Sequence, residues 1–239
     1  MKENKYDDNI FFQKYSQMSR SQQGLAGAGE WETLRKLLPD FKDKRVLDLG
    51  CGYGWHCIYA MEHGASSVVG VDISHKMLEV AKEKTHFPQV EYKCCAIEDV
   101  EFPEESFDVI LSSLAFHYVA DYEILVKKIY RILKSGGKLV FTVEHPVFTA
   151  YGTQDWYYNE KGEILHFPVD NYYYEGKRTA VFLGEKVTKY HRTLTTYLNT
   201  LLSNGFIINH IVEPQPPEYM MDIPCLLYTS DAADEARSV

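Results

Sequence analysis

The chain has 239 residues, of which 45% are hydrophobic, and it carries a formal net charge of −9 at pH 7. This length suits one domain with an elaboration, and the hydrophobic share is enough to build a sizeable core. The acidic balance disfavours a nucleic-acid backbone as partner. No apolar run approaches the length of a membrane span, and the charged start over residues 1–8 lacks the apolar stretch of a signal peptide. We therefore expect a cytoplasmic protein with no membrane or nucleic-acid partner.

Residues 7–38 are predicted to be helical in pieces, because Trp31, Leu34 and Leu37 follow helical spacing. A glycine-rich turn, GLAGAG at residues 24–29, interrupts this segment. Arg20 precedes the turn, and its guanidinium group is of the kind that grips a carboxylate through two hydrogen bonds. The alternative is that this segment presents an ordinary solvated helix face.

A strand, a glycine loop, a helix and a second strand follow in order. The apolar run at 45–50 leads into glycines with the spacing G-x-G-x-G, and the run at 67–72 ends in an acid. This order is typical of half of an open α/β nucleotide-binding sheet. Both acids, Asp48 and Asp72, stand where a strand ends, so both are expected at the crevice where such sheets bind ligands.

The loop does not match the nicotinamide fingerprint G-x-G-x-x-G, since Trp55 stands where the third glycine would fall. An acid at the mouth of the loop would also repel a pyrophosphate. Asp48 instead suits a ligand with an ammonium group, and Asp72 suits the two hydroxyls of a ribose. A nucleoside with a cationic amino-acid tail, S-adenosylmethionine, fits this pattern, and a nicotinamide oxidoreductase is disfavoured.

Further strands are predicted near 90–95, 107–113 and 138–144. Helices are predicted near 54–63, 75–86 and 121–134, the last ended by the glycines at 136 and 137. The alternation of strands and helices predicts a mostly parallel sheet with right-handed crossovers.

Residues 145–191 depart from this alternation and are rich in tyrosine. Residues 172–182 resemble a hairpin with its turn at Glu175-Gly176, and residues 186–192 are available to pair with it. Because the segment begins at the carboxyl end of the fifth strand, we expect a β-rich cap whose aromatic residues wall a substrate pocket. Tyr151 and His145 are the favoured pocket residues. A satellite core or a dimer face is the alternative for most of the tyrosines.

After this segment, residues 193–203 are predicted to form a helix and residues 206–212 a sixth strand. The residues from about 225 resemble the translation of a transposase adapter used in DNA library preparation, so we expect residues 225–239 to be an artefactual tail. The five cysteines form no C-x-x-C pair and are predicted to be free, mostly buried thiols; they are Cys51, Cys57, Cys94, Cys95 and Cys225.

Five motifs in order carry a resemblance to a known family. They are VLDLGCGYG at 46–54, VDIS at 71–74 with Met77-Leu78, AIED at 96–99, SFDVI at 106–110 and RILKSGGKL at 131–139. Over about residues 40–145 the chain resembles the class I S-adenosylmethionine-dependent methyltransferases of the small-molecule type, similar to methyltransferase type 11. The resemblance implies a Rossmann-like sheet over 39–144 and 192–224, with residues 1–38 as a helical lid. It also implies a final antiparallel strand, for which no apolar run is present after residue 214.

The resemblance implies roles for individual residues. Asp48 would hold the methionine ammonium group directly or through water, Asp72 would accept the ribose hydroxyls, and Ile73 with Met77 would sandwich the adenine. The residues it places at the cofactor are Asp48, Gly50, Cys51, Gly52, Gly54, Asp72, Ile73, Met77, Ile97, Glu98, Ser112, Leu114 and, from the lid, Arg20. The alternatives are a helix cap for Asp48, core packing for Ile73 and Met77, and an exposed loop acid for Glu98, with Asp99 in its place at the adenine.

Methyl transfer from a sulfonium releases a neutral leaving group, so holding the reactants in line supplies most of the catalysis. A base is required only where the acceptor must lose a proton early, and His117 and His145 are the candidates. The histidines show no metal-ligand spacing, so no metal is expected. We expect methyl transfer to a small molecule; the alternatives are a tRNA or protein methyltransferase and a non-catalytic cofactor-binding regulator.

Overall fold

The computed structural model describes residues 2–154 and 156–214. Its centre is a parallel five-stranded sheet with the order β3-β2-β1-β4-β5. The strands are β1 (Arg45–Leu49), β2 (Ser67–Asp72), β3 (Val90–Cys94), β4 (Phe107–Ser113) and β5 (Leu133–Thr142). The inner strands are apolar along their length because helices cover both faces of the sheet, as expected of a parallel sheet. The predicted α/β, Rossmann-like architecture is confirmed.

The helices have recognisable local signals. Ser74 caps one of them by accepting a hydrogen bond from the Met77 backbone N–H, and Asp121 does the same for Ile124. The helices are α1 (Asn9–Ser16), α2 (Ser19–Gln23), α3 (Trp31–Leu37), α4 (Trp55–Glu62), α5 (His75–Lys84), α6 (Tyr122–Ile132), α7 (Pro146–Ala150) and α8 (Leu194–Ser203).

The sheet separates two apolar layers. On one face, Leu47 and Leu49 pack with the buried side of α6 and with Tyr197 of α8. On the other face, Val46 packs with Cys57 of α4. The alternation of Val46 with Leu47 between the two faces follows from the strand period of two.

Two antiparallel pairs form the predicted β-rich cap: β6 (Tyr157–Tyr158) with β7 (Ile164–His166), and β8 (Gly176–Phe182) with β9 (Glu185–His191). The pairing of β8 with the segment after it is confirmed, but the turn lies at Leu183-Gly184 and not at Glu175-Gly176. Leu183 and Gly184 both have positive φ, 51° and 78°. A two-residue hairpin turn of this kind needs positive φ at both central positions, and Gly184 makes it possible here.

The expected end of the helix over residues 121–134, which connects β4 to β5, is wrong. Helix α6 ends at Ile132, and β5 begins at the next residue. Leu133 pairs with Phe107 and Lys138 with Val109, so the intervening residues form a bulge in which Gly136 has a φ of 74°. The glycines therefore allow an irregular strand and do not cap a helix.

The expected sixth strand over residues 206–212 is absent from the described part of the chain. Phe206 and Ile208 pack against the core, whereas Ile207 is 86% exposed. A strand needs a ladder partner, and within residues 2–154 and 156–214 the outer edge of β5 has none. The expected lack of a final antiparallel strand after residue 214, Cys225 and the tail from 225 all concern positions outside the described residues. Among the helices described, none combines the length and apolar character needed to cross a membrane.

Candidate functional site

A cavity of about 520 Å³ lies at the carboxyl edge of the sheet, between the N-terminal segment and the cap. Parallel strands end at a common edge, so loops from β1, β2 and β4 meet there. Most of the residues predicted at the cofactor line this cavity: Arg20, Gly50, Gly52, Asp72, Ile73, Met77, Ile97, Glu98 and Leu114.

The glycine loop uses its three glycines for different reasons. Gly50, Gly52 and Gly54 all have positive φ, at 81°, 52° and 76°. A Cβ on Gly54 would lie 2.2 Å from the Tyr92 hydroxyl, so that glycine serves packing behind the loop. A Cβ on Gly52 would meet no protein atom within 4 Å and would project at the cavity wall, so Gly52 keeps a ligand-sized space clear.

Asp72 fixes the loop from the neighbouring strand. Its Oδ2 accepts a hydrogen bond from the Gly52 backbone N–H at 2.9 Å, and its Oδ1 accepts one from the Ser74 backbone N–H at 2.9 Å. Burial raises the pKa of this carboxyl. A carboxylate has about four lone-pair positions, so two remain for donors from the cavity. Asp72 is thus equipped to receive a pair of hydroxyls.

Asp48 lies behind the loop and does not line the cavity. Its side chain is 1% exposed, Cys57 Sγ lies 3.4 Å from Oδ2, and Oδ1 has no hydrogen-bond partner among the described residues. Burial, with a smaller contribution from Asp72, raises its pKa to about 7. Asp48 is therefore buried behind the loop, and its predicted contact with the methionine ammonium group, directly or through water, stays a prediction.

Three other predicted cofactor residues also lie off the cavity wall. Ser112 is buried and donates its hydroxyl to the Leu49 carbonyl at 2.7 Å, which joins two strands of the sheet. Cys51 is buried beneath the loop, and Gly54 begins the helix after it. These residues shape the loop from below and do not reach its ligand side.

Arg20 reaches the cavity and is held there by a residue that the sequence did not indicate. Its Nη2 donates to Glu30 Oε1 at 2.6 Å, and Glu30 is 2% exposed. Glu30 follows the glycine turn and carries no motif of its own, so no sequence signal pointed to it. The buried ion pair fixes the guanidinium group beside the space where a ligand carboxylate is expected.

The segment over residues 2–8, here called the N-terminal strap, crosses the same edge. Asn4 Nδ2 donates to the Ile73 carbonyl at 3.2 Å. Asp7 Oδ1 accepts from Ser74 Oγ at 2.6 Å and from the Lys76 backbone N–H at 3.1 Å. The strap therefore binds the start of α5 next to Asp72. Short polar residues near a chain start gave no pattern from which these contacts could be predicted.

The two candidate bases lie in different places. His117 lines the cavity, is 2% exposed, and has its Nδ1 3.4 Å from the Glu144 backbone N–H, which donates to it. Burial lowers the pKa of His117 to about 4, although the Glu144 carboxylate, 3.8 Å from its Nε2, acts in the opposite direction. His145 lies off the cavity wall, where it caps α7 and contacts Glu213 at 2.5 Å; Tyr151 also lies off this wall.

The comparisons with known proteins identify the family of the chain. A family model described as "Methyltransferase domain" matches residues 47–141. A crystal structure from Listeria monocytogenes, assigned to the S-adenosylmethionine-dependent methyltransferases, is 58% identical and has a TM-score of 0.77, covering 81% of this chain and 91% of that one. One from Mesorhizobium loti, an S-adenosylmethionine-dependent methyltransferase, is 38% identical with a TM-score of 0.79, covering 90% and 97%.

The chain belongs to the class I S-adenosylmethionine-dependent methyltransferases. It is an enzyme of that family, and S-adenosylmethionine is its cofactor. An uncharacterized protein from Haemophilus influenzae is 36% identical over 222 residues, covering 87% of this chain and 85% of its own length. The ubiquinone biosynthesis O-methyltransferase of Coxiella burnetii is 36% identical over 112 residues, which is 46% of this chain and 47% of that protein.

Proposed function

We propose that the protein transfers a methyl group from S-adenosylmethionine to a small-molecule acceptor. The observation that carries this proposal is a shared cavity of about 520 Å³, whose wall includes both the glycine loop and the cap hairpin. A volume of this order is typical of small-molecule sites. The cavity is also covered by the N-terminal strap, which supports a compact acceptor over a macromolecular one.

The residues present fit the cofactor. Gly52 leaves space for a ligand to approach the backbone, and Asp72 offers two lone-pair positions to the ribose hydroxyls. Ile73 and Met77 supply apolar surfaces on the wall beside Asp72, as adenine requires. Arg20, fixed by Glu30, would hold the carboxylate of the methionine part.

The cofactor supplies an activated methyl group on a positively charged sulfur when it is bound. The residues of the chain then have to hold the two reactants in line and exclude water. His117 is poorly suited to act as a base, because its Nδ1 lone pair already faces the Glu144 backbone N–H. Positioning by the cavity walls is therefore the main contribution that we assign to the protein.

The relative from Coxiella burnetii supports the choice of acceptor class, since its name assigns it to O-methylation in ubiquinone biosynthesis. The match covers about half of each chain, so it supports the class and not a particular compound. The formal net charge of −9 supports the same choice over an RNA acceptor.

Calorimetry with S-adenosylmethionine and S-adenosylhomocysteine tests the cofactor half of this proposal. Asp72→Ala should weaken binding by about 10- to 100-fold, as expected for loss of hydrogen bonds to a charged group. Asp170→Ala, which removes an exposed carboxylate in the cap, should leave binding unchanged.

Transfer of radiolabelled methyl groups to a small-molecule panel, compared with tRNA and protein fractions, tests the acceptor half. Unchanged binding by Asp72→Ala, or labelling of tRNA alone, would refute the proposal.

A further inference from the structure

A buried cluster of polar side chains adjoins the cavity through Glu144. Lys189 Nζ donates to Glu144 Oε1 and, at 3.0 Å, to Gln154 Oε1, while Gln154 Nε2 donates to Glu144 Oε2 at 2.9 Å. Lys189, Glu144 and Gln154 are 1%, 3% and 3% exposed. Glu144 follows β5, whereas the other two come from the cap, so the cluster joins the cap to the catalytic edge of the sheet.

A buried ion pair of this kind contributes little to the stability of the fold. Removing two charges from water is unfavourable, and apolar residues of similar size often serve a fold as well or better. The cap has an apolar alternative close by, where Phe11 packs with Ala180 and Phe182. Of the three members, Glu144 lines the cavity. A buried charged group beside a ligand cavity indicates a role in binding or chemistry.

Aromatic side chains line the same cavity as Glu144. They are Tyr6 from the strap, Tyr118 after β4, and Phe182 with Tyr190 from the hairpin. The hydroxyls of Tyr6 and Tyr118 lie 3.5 Å apart, so the strap contacts the segment that follows β4 at the cavity wall. Aromatic surfaces pack well against a flat ring, in stacked or edge-to-face contact.

The local charge argues against a cationic acceptor. Lys189 already neutralises Glu144, and Arg192 lies just behind the wall, where its Nη2 donates to the Ala120 carbonyl at 2.9 Å. A protonated amine would meet this positive surrounding, whereas an oxygen that gains negative charge as it loses a proton would be stabilised by it.

We propose that the acceptor is a hydroxylated aromatic compound whose hydroxyl group donates a hydrogen bond to the Glu144 carboxylate. This inference rests on the proposed function and names the substrate class for the same cavity. In the transfer, the phenolic oxygen forms a bond to the methyl carbon as the bond from carbon to sulfur breaks. The electron pair of that bond stays on sulfur, which becomes a neutral thioether, and the phenolic proton passes to Glu144. Lys189 and Gln154 are positioning residues that hold the carboxylate.

Transfer of tritiated methyl groups from S-adenosylmethionine to catechol tests this assignment, with cyclohexane-1,2-diol and benzylamine as matched probes. We expect labelling of catechol at least 10-fold faster than of either probe. Glu144→Gln should lower kcat for catechol at least 100-fold, while the Kd of S-adenosylhomocysteine changes less than 2-fold. Glu123→Gln, an exposed change on α6, is the matched control and should alter neither quantity.

Because Glu144→Gln leaves Lys189 without its carboxylate, the double variant E144Q/K189M checks that folding is not the cause. It should melt near the wild-type temperature and still fail to methylate catechol. Faster labelling of benzylamine than of catechol, or kcat within 3-fold of wild type in Glu144→Gln, would overturn the assignment. Absence of S-adenosylhomocysteine binding by the wild-type protein would instead overturn the proposed function itself, and this inference with it.

Discussion

The Asp7 carboxylate accepts a hydrogen bond from the Ser74 hydroxyl at 2.6 Å, across 67 positions of sequence. Ser74 caps α5 with the same hydroxyl, because its Oγ accepts from the Met77 backbone N–H at 3.1 Å. Asp7 therefore extends the cap of α5 from outside the helix and ties the N-terminal strap to the residue two positions after Asp72. An acidic group at a helix N-terminus is also favoured by the helix dipole.

The first prediction concerns this contact. Asp7→Ala should lower the free energy of unfolding by about 1 kcal/mol, as loss of a capping carboxylate does, and weaken S-adenosylhomocysteine binding about 3- to 10-fold by releasing the strap. Burial opposes ionisation of Asp7, but the hydrogen bonds from Ser74, Lys76 and His75 outweigh it and lower its pKa. The contribution is therefore present above the ordinary Asp pKa and is lost as the pH falls through the lowered value. Denaturant melts and calorimetry measure both effects, with Asp170→Ala as control; equal behaviour of the two variants would contradict this account.

The second prediction asks why the glycine loop needs Gly52: to leave room for the cofactor, or to allow a strained backbone. Gly52→Ala should reduce cofactor affinity at least 100-fold, because the new methyl group would project at the cavity. Gly136→Ala is the matched control: its φ is also positive, at 74°, and its Cβ also meets no protein atom within 4 Å. Both changes should lower the free energy of unfolding by about 1–2 kcal/mol, and only the first should abolish binding in calorimetry. Loss of affinity in both variants would show that strain, not space, is responsible.

The third prediction concerns the packing behind the loop. Gly54→Ala places a Cβ 2.2 Å from Tyr92 Oη and 3.2 Å from Ala81 Cβ. Tyr92 cannot move freely, because its hydroxyl is hydrogen-bonded to Thr85 at 2.7 Å. We expect a loss of about 2–4 kcal/mol from overpacking and strain together. Adding Tyr92→Phe to Gly54→Ala should restore part of the melting temperature that Gly54→Ala loses. If the double variant melts no higher than Gly54→Ala, the clash with the Tyr92 hydroxyl is not the cause.

The fourth prediction uses the raised pKa of Asp48. Burial raises it from 3.8 to about 7, so between about pH 4 and pH 7 the folded protein holds a proton that the unfolded chain has lost. Stability from this group therefore falls as the pH rises through that window and levels off above it. Asp48→Asn has no such proton, so the difference between its melting temperature and that of the wild type should shift in favour of the variant as the pH rises from 5 to 8. Asp40→Asn, an exposed change, should show no such trend; a constant difference for Asp48→Asn would contradict the burial argument.

The sequence predicted the parts of the fold that depend on local pattern. Continuous apolar runs identified the strands around Leu47 and Val69, and Gly50, Gly52 and Asp72 identified the ligand edge, because strand termini in a parallel sheet coincide. The turn at Leu183-Gly184 was missed because the Glu175-Gly176 pair carries an equally good turn signal. The bulge around Gly136 was missed because a glycine after a helical pattern normally ends a helix.

Contacts between distant segments account for the rest of the site. Asp7, Glu30 and Lys189 act through partners that lie at positions 74, 20 and 144, and no spacing within the sequence records those pairings. Asp48 was expected at the ligand because it stands near the end of a strand, but the end of a strand does not say that its side chain lies beneath the loop, against Cys57.

Among the described strands, β8 and β9 form ladder hydrogen bonds only with each other, and none with the five-stranded sheet. Phe182 and Tyr190 can therefore change without disturbing the register that sets Gly52 and Asp72. This separation makes the chain a suitable scaffold for retargeting: exchanging Phe182 and Tyr190, with Lys189 kept to hold Glu144, would bring new acceptor chemistry to the same nucleoside pocket.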